Sequence, residues 1–291
     1  MKIDPRKFRV AAGEKVKLRK WPTRVKPFYA SDEQYRERLA EDVAQLSERQ
    51  NLLYASNSHA LLLIFQAMDA AGKDGAIKHV MSGVNPQGCQ VFSFKHPSAE
   101  ELDHDFLWRT TRALPERGRI GIFNRSYYEE VLIARVHPEI LRAEGLPATV
   151  LDGESIWQQR YRSITGLESH LHRNGTRIVK FFLHVSKPEQ KRRFLERVDT
   201  PAKNWKFSAN DAKERGYWDA YMAAYEDMIR NTATKEAPWY VVPADNKWFT
   251  RVVVAAAVID ALASLDVKYP VVGPEKLKEL AEVKRALLAE K

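Results

Sequence analysis

The chain has 291 residues, of which 44% are hydrophobic, and its 47 Lys and Arg against 38 Asp and Glu give a formal charge of +9. These values are typical of a globular protein of one large or two modest domains, and they exclude disordered, collagen-like and small disulfide-rich proteins. The single cysteine, Cys89, cannot form an internal disulfide, and the first residues lack the apolar segment of a signal peptide. No apolar run approaches the roughly 20 residues that span a bilayer. We therefore expect a cytoplasmic protein that is not inserted in a membrane.

The positive charge is concentrated at the N-terminus. Residues 1–27 carry ten basic and two acidic side chains, whereas the rest of the chain is nearly neutral. We expect one domain, 1–291, in which 1–30 form a basic arm, a solvated extension that lies over a neighbour or an acidic ligand. The alternative is a nucleic-acid-binding module that uses this arm. Because the excess charge is confined to the arm, we do not expect nucleic acid as a partner.

Hydrophobic periodicity predicts a long amphipathic helix at 32–55, followed by short apolar runs that alternate with helical patterns. The predicted strands are 59–65, 89–94, 119–123, 176–185 and 239–243. The further predicted helices are 74–84, 98–114, one from 127 onward, 155–174, 187–197, 209–232 and 248–264. About five buried strands interleaved with helices predict a three-layer α/β/α fold with a central parallel sheet.

The loop after the first predicted strand has the composition of a phosphate-binding loop. It reads Gln-Ala-Met-Asp-Ala-Ala-Gly-Lys-Asp-Gly at 66–75 and opens a helix. Small residues let backbone N–H groups face a phosphate, the helix N-terminus attracts the anion, and Lys73 adds a mobile charge. Two positions depart from the standard pattern: Ala67 stands where the first glycine belongs, and Asp74 replaces the hydroxyl residue that holds magnesium. The residues expected to contact phosphate or nucleotide here are Ala70, Ala71, Gly72 and Gly75.

Asp69 and Asp74 place two carboxylates beside a site whose ligand is itself anionic. Anions side by side repel unless a cation lies between them, and Mg²⁺ binds through one or two carboxylates plus substrate phosphates. We therefore predict Mg²⁺ as the cofactor, with these two residues as its ligands. The alternative is a helix N-terminus with acidic capping residues near its positive end.

A second polar cluster follows the third predicted strand. Because ligands gather at the carboxyl ends of parallel strands, Asn124 and Arg125 should emerge beside the phosphate loop. Arg125 offers a bidentate fork to a phosphate, and Asn124, at the position of a metal-holding Asp in P-loop enzymes, can orient a phosphate oxygen or a water. One turn later, Glu129 and Glu130 are candidate carboxylate supports. The alternative is an N-capped helix in which Ser126 and Glu129 form a capping box.

Taken together, these motifs resemble the polyphosphate kinase 2 family. The resemblance runs from about 32 to about 264 and implies a P-loop kinase fold similar to thymidylate kinase, with a mobile helical lid. It implies Mg²⁺-dependent, reversible transfer of the terminal phosphoryl group between inorganic polyphosphate and a nucleotide, in a homo-oligomer with a tetramer favoured. The matching segments are QAMDAAGKDG at 66–75, NPQGCQVFSFKHPS at 85–98, FNRSYYEEVL at 123–132, KFFLHVSKPEQKRRF at 180–194 and PAKNWKFS at 201–208.

The resemblance also suggests the acceptor and a lid. Asn124 is similar to the branch of the family that accepts nucleoside monophosphates as well as diphosphates, so AMP and ADP are both expected acceptors. Residues 187–215, the expected lid, hold nine basic and five acidic side chains, and a donor of linked phosphates requires such a row of cations. The alternative is a solvated helix face. The candidate polyphosphate ligands in the lid are Lys187, Arg193, Lys203 and Lys206.

The expected chemistry is in-line phosphoryl transfer without a covalent enzyme intermediate. Asp69 and Asp74 would position Mg²⁺ and the acceptor oxygen, while Lys73 and Arg125 would offset the charge of the transferred group. The competing interpretation is an ATP-dependent nucleoside or nucleotide kinase that uses the same loop.

Overall fold

Five parallel strands form one sheet. The computed structural model describes residues 3–26, 28–151, 156–206 and 208–290, although the side chain of Lys206 is outside the described part. In the centre of the sheet, Leu62 lies opposite Gly121 on one side and Ile178 on the other. The strands are β1 (Ala60–Ala67), β2 (Cys89–Ser93), β3 (Ile120–Asn124), β4 (Thr176–His184) and β5 (Trp239–Pro243). Their order in the sheet is β2-β3-β1-β4-β5.

Helices cover both faces of this sheet. One group is α1 (Asp32–Ser56), α2 (Lys73–Val80) and α12 (Lys247–Ala263), and the second is α8 (Ile156–Arg173) and α11 (Trp218–Thr232). Every residue of β1 is buried, as a strand covered on both faces must be. The predicted α/β fold with a central five-stranded parallel sheet is therefore confirmed. The helices are α1 (Asp32–Ser56), α2 (Lys73–Val80), α3 (Ala99–Leu102), α4 (Trp108–Thr111), α5 (Ile133–Val136), α6 (Pro138–Ala143), α7 (Ala148–Leu151), α8 (Ile156–Arg173), α9 (Lys187–Val198), α10 (Ala209–Glu214), α11 (Trp218–Thr232), α12 (Lys247–Ala263) and α13 (Pro274–Ala289).

Two predicted helices are wrong because local hydrogen bonding and a glycine interrupt them. The predicted helix 98–114 is divided into α3 and α4, where the Asp105 side chain accepts from the Leu107 N–H at 2.9 Å, an alternative to continued helix. The predicted helix 209–232 is divided by a 3₁₀ turn, Arg215–Tyr217, that contains Gly216, a poor helix former.

Two further differences concern helix type and the C-terminus. The residues from 127 onward begin as a 3₁₀ helix, Tyr127–Val131, rather than as an α-helix. The Ser126 side chain accepts from the Tyr128 N–H at 3.2 Å, so Ser126 caps the helix as the alternative interpretation held, but through Tyr128 rather than through a capping box with Glu129. Helix α13, which contains no buried residue, was not predicted.

The N-terminal arm packs on the body and is not the solvated extension that its charge predicts. Ile3, Phe8 and Val10 are buried, and the Val10 N–H donates to the Trp239 carbonyl at 2.9 Å, at the edge of β5. Apolar residues spaced between the basic ones hold the backbone against the core, while the charged ends remain in water. Among the described helices, none combines the length and apolar character needed to cross a membrane.

Candidate active site

The phosphate loop and the end of β3 meet at the carboxyl edge of the sheet. Phe65 and Asn124 are paired across β1 and β3, and the Arg125 N–H donates to the Phe65 carbonyl at 3.0 Å. Ala70 and Arg125 both adopt left-handed backbone conformations, with φ of 59° and 65°. Such conformations are uncommon for residues with a side chain and concentrate at functional sites.

Gly72 allows the chain to turn from the loop into α2. It is the N-cap residue of the helix at φ 106°, a conformation that glycine adopts without steric cost. The first helical residue, Lys73, follows directly, and its Nζ donates to the Ala67 carbonyl at 3.3 Å. The helix N-terminus and the lysine ammonium therefore lie in the same loop, as anion binding requires.

Burial lowers the pKa of Lys73, and the positive charge of Arg125 lowers it further, while Asp69 opposes the shift. A bound phosphate would favour the charged ammonium, because an opposite charge stabilises it. The negative charge of Glu129 raises the pKa of Arg125, and Asp69 adds to this effect against burial. The two cations of the site are thus adjacent to each other and surrounded by carboxylates.

Both predicted magnesium ligands lie in this cluster, each in contact with the second motif. Arg125 Nη2 is 3.2 Å from Asp69 Oδ1, and Asn124 Nδ2 donates to Asp74 Oδ1 at 2.9 Å. Each contact uses one oxygen of the carboxylate, and among the described residues no hydrogen bond occupies the second, which leaves it open to a metal.

These residues fit Mg²⁺. Within the described chain, no three His, Cys, Asp or Glu residues come close enough to enclose a metal. Two carboxylates at a phosphate site are the usual protein contribution to Mg²⁺, which takes its remaining ligands from substrate and water. The site therefore suits an ion that arrives with a phosphorylated substrate.

A cavity of about 730 Å³ opens above the loop and is lined by Asp69, Asp74 and Glu196 as its acidic residues. Among the described lining residues, cations exceed carboxylates by five, and a concave surface with such an excess attracts polyanions. Residues of the expected lid region, 187–215, form part of one wall, including the exposed Trp205. The basic lining residues are Lys73, Lys95, Arg125, Arg193, Arg197, Lys203, Lys247 and Arg251.

Four cations of the described lining were not singled out from the sequence: Lys95, Arg197, Lys247 and Arg251, of which Arg197 lies on α9. Lys95 follows β2, whose carboxyl end lies beside that of β3. Because ligands gather at the carboxyl ends of parallel strands, this position could have identified Lys95 as a candidate from the sequence. Lys247 and Arg251 are in the first two turns of α12, and their approach to the loop depends on how α12 packs against α2. A side chain at Gly75 would place its Cβ 3.8 Å from Arg251 Nη2.

Arg193 lines the cavity, but it does not offer a free cation to polyphosphate. Its Nη1 donates to the Ala70 and Ala71 carbonyls at 3.0 and 2.7 Å. Nη2 donates to the Ala244 and Asp245 carbonyls at 2.6 and 3.2 Å, and Nε donates to Glu189 at 2.7 Å. All five N–H groups of the guanidinium are therefore occupied by protein, which corrects the expectation of direct polyphosphate contact.

The other lid candidates have different positions. Lys203 lines the cavity and its Nζ lies 2.5 Å from Glu196 Oε1. Lys187, in contrast, does not line it, and its Nζ lies 6.0 Å from the centre of the Trp218 ring. The side chain of Lys206 lies outside the described residues.

Glu130 does not support the phosphate site, contrary to the prediction. It is 5% exposed and is not among the described lining residues, and Arg109 Nη2 donates to its Oε1 at 3.1 Å. Burial raises the pKa of Glu130 to about 7, and the negative charge of Glu144 adds to this effect. Glu129 is half-buried and does not line the cavity, although its charge acts on Arg125.

Comparison with known proteins agrees with the fold and with the geometry of the site. The family model for polyphosphate kinase 2 (PPK2) matches residues 29–270. The chain belongs to the polyphosphate kinase 2 family. A crystal structure of polyphosphate kinase 2 from Arthrobacter aurescens is 40% identical, with a TM-score of 0.86 over 97% of both chains.

Two relatives in this family carry specific names. A protein of Rhodopseudomonas palustris named ADP-polyphosphate phosphotransferase is 63% identical over 288 residues, which is 99% of this chain and 100% of that protein. A protein of Meiothermus ruber named AMP/ADP-polyphosphate phosphotransferase is 42% identical over 275 residues, 94% of this chain and 98% of that protein.

Proposed function

We propose that this protein transfers the terminal phosphoryl group of inorganic polyphosphate to ADP or AMP, reversibly and with Mg²⁺. The observation that carries the proposal is the cavity above the phosphate loop, whose described lining has eight basic and three acidic side chains. A donor of linked phosphates carries about one charge per unit and no apolar surface, so it binds through such an excess of cations. The names of the two relatives support ADP and AMP as acceptors.

The residues of the loop supply positioning and electrostatic stabilisation. Lys73 and Arg125 face the phosphoryl group and offset its charge during in-line transfer. Asp69, held by Arg125 at 3.2 Å, orients the acceptor. Because the attacking phosphate oxygen is already ionised near neutral pH, Asp69 does not need to remove a proton.

The two carboxylates also account for the metal. Mg²⁺, when bound by Asp69 and Asp74, would neutralise phosphate charge and align donor and acceptor oxygens. Asn124 fixes the orientation of Asp74 through its 2.9 Å hydrogen bond without adding a negative charge. The loop N–H groups at Ala70 to Gly72 would bind the next phosphate of the polyphosphate donor.

The cellular setting of the enzyme is part of the proposal. We propose a single-domain cytoplasmic protein that forms a homo-oligomer, with a tetramer favoured, and that does not act on nucleic acid. The near-neutral charge of the chain after the arm argues against nucleic acid as a substrate. The resemblance to the family supports the homo-oligomer. Light scattering on the purified protein measures the oligomeric state, and a mass equal to one chain would contradict it.

A comparison of donors tests the proposed function against the competing ATP-dependent kinase. Purified protein is incubated with Mg²⁺ and AMP, and either polyphosphate or ATP is supplied as the donor. We expect ADP and then ATP to appear with polyphosphate, and little product from AMP when ATP alone is the donor. ADP formation from ATP and AMP, with none from polyphosphate, would replace the proposed function by the alternative.

A further inference from the structure

We propose that three exposed cations of the N-terminal arm, Lys20, Arg24 and Lys26, form an outer binding track for long polyphosphate chains that leave the cavity. The inference rests on the proposed function and adds a second binding surface to it. The arm would then contribute to affinity for long donors without taking part in the transfer itself.

The first argument is the place where the arm contacts the body. The Asp245 N–H donates to the Thr23 carbonyl at 3.0 Å, and Thr23 Oγ1 donates to Asp245 Oδ2 at 3.0 Å. Asp245 is two residues before Lys247, which lines the cavity. Since an extended chain advances about 3.4 Å per residue, the backbone of Lys247 lies within about 7 Å of the backbone of Asp245.

The same limit applies to the arm. Lys20 and Lys26 are each three residues from Thr23, so their backbones lie within about 10 Å of it, and Arg24 is its immediate neighbour. The next described part of the arm also follows α12, because the Phe28 ring stacks on Phe249 with centroids 5.7 Å apart. The arm therefore passes beside the first turn of α12. Two cations of this helix, Lys247 and Arg251, line the cavity.

The second argument is that these cations are not neutralised by the protein. Lys20, Arg24 and Lys26 are exposed, and within the described structure none of them pairs with a carboxylate. Some other exposed cations are paired, such as Arg6 with Asp4 at 2.9 Å and Arg192 with Glu189 at 2.7 Å. Because Lys15 and Lys17 are also exposed and unpaired within the described residues, it is the position beside α12 that distinguishes Lys20, Arg24 and Lys26. Like charges beside a cavity that already has an excess of five cations repel one another, and a polyanion relieves that repulsion.

The third argument is that the arm is held in place before any ligand binds. Val16 and Leu18 are buried, and the Leu18 N–H donates to Glu226 Oε2 at 2.8 Å. A surface already ordered loses little conformational entropy on binding. The cations are thus presented on a fixed backbone and not on a free tail.

Chain length provides the test. A short polyphosphate that fits within the cavity does not reach the arm, whereas a long one extends past α12. Neutralising the arm should therefore raise the KM for long-chain polyphosphate by roughly fivefold, as expected for the loss of several exposed charge contacts. It should leave kcat and the KM for short chains unchanged, and it should weaken the salt dependence of the long-chain KM.

The experiment compares the triple variant K20Q/R24Q/K26Q with the control K278Q/K284Q/R285Q. The control removes the same three positive charges from α13, all of whose residues are exposed. We expect the long-chain KM to rise in the arm variant only. An equal rise in both variants would show that net charge alone matters, and would overturn the inference.

Further outcomes separate the inference from the proposed function. An arm variant with unchanged long-chain KM overturns the inference and leaves the proposed function intact. A wild-type protein that uses neither short nor long polyphosphate ends both. Binding of duplex DNA or RNA is measured in parallel by fluorescence anisotropy, and loss of that binding in the arm variant with unchanged polyphosphate kinetics would assign the arm to nucleic acid.

Discussion

The amide of Asn124 donates a 2.9 Å hydrogen bond to Asp74, and this contact joins the end of β3 to the first turn of α2. Asp at position 124 would instead bring two carboxylates to hydrogen-bonding distance, where they repel. The amide orients Asp74 without adding a third carboxylate next to Asp69 and Asp74. The contact therefore connects the second motif to the metal ligand of the first.

Replacing this amide should weaken the use of Mg²⁺. In Asn124→Ala, Asp74 loses its orienting donor, and we expect the Mg²⁺ concentration for half-maximal transfer to rise about tenfold, the usual effect of removing a group that orients a metal ligand. A Mg²⁺ titration of the transfer rate measures this. Asn231→Ala, at an exposed position on α11, is the control, and identical titrations for the two variants would contradict the role of Asn124.

Arg193→Lys should lower both stability and turnover although the charge is kept. Lysine has one ammonium and cannot replace a guanidinium fork that contacts the Ala70, Ala71 and Ala244 carbonyls together. We expect the free energy of unfolding to fall by about 3 kcal/mol, because buried carbonyls are left without donors. Urea unfolding and kcat are the two measurements, and kcat should fall because the phosphate loop loses its anchor.

The neighbouring residue provides a matched control for Arg193. Arg192 also pairs with Glu189, at 2.7 Å, but its side chain is 60% exposed. Arg192→Lys should change stability by less than about 0.5 kcal/mol. Equal effects of the two substitutions would show that the buried fork contributes nothing beyond a surface ion pair.

Glu130 should make stability fall as the pH rises towards neutrality. Its pKa in the folded protein is about 7, above the ordinary value of 4.5. Between these values the folded state binds the extra proton, so the free energy of unfolding decreases as pH rises from about 4.5 to about 7 and changes little above that. The full effect corresponds to about 3 kcal/mol.

The variant Glu130→Gln removes this titration. Relative to the variant, the wild type should lose stability across that pH range, as measured by urea unfolding at several pH values. Glu100→Gln, at an exposed position on α3, should run parallel to the wild type throughout. A constant difference between wild type and Glu130→Gln from pH 4.5 to pH 7 would contradict the raised pKa.

The sequence predicts the local parts of this site well. A buried apolar strand followed by small residues and Gly-Lys has few structural interpretations, so the positions of Gly72 and Lys73 at the start of α2 follow from local rules. The meeting of Asn124 and Asp74 follows from topology, because parallel strands end at one edge of the sheet.

Contacts that depend on packing could not be predicted in this way. Arg193 has the same appearance in the sequence as the exposed Arg192, and only the fold decides which of them is buried. Glu130 follows Glu129 in the chain, yet it contacts Arg109 of α4 rather than the cavity. This contact joins residues that are distant in the sequence, so the sequence alone does not reveal it. The same limit applies to the arm: its high charge predicts an exposed segment, yet Phe8 and Val10 are buried.

Lys73→Ala tests the central claim most directly, because Lys73 supplies the mobile charge of the phosphate loop. The control is Lys78→Ala, an exposed lysine on the same helix. With polyphosphate, Mg²⁺ and ADP, we predict that kcat for ATP formation falls about a thousandfold in Lys73→Ala and stays near the wild-type value in Lys78→Ala. Circular dichroism should show both variants folded, and near-normal turnover by a folded Lys73→Ala protein would contradict the account.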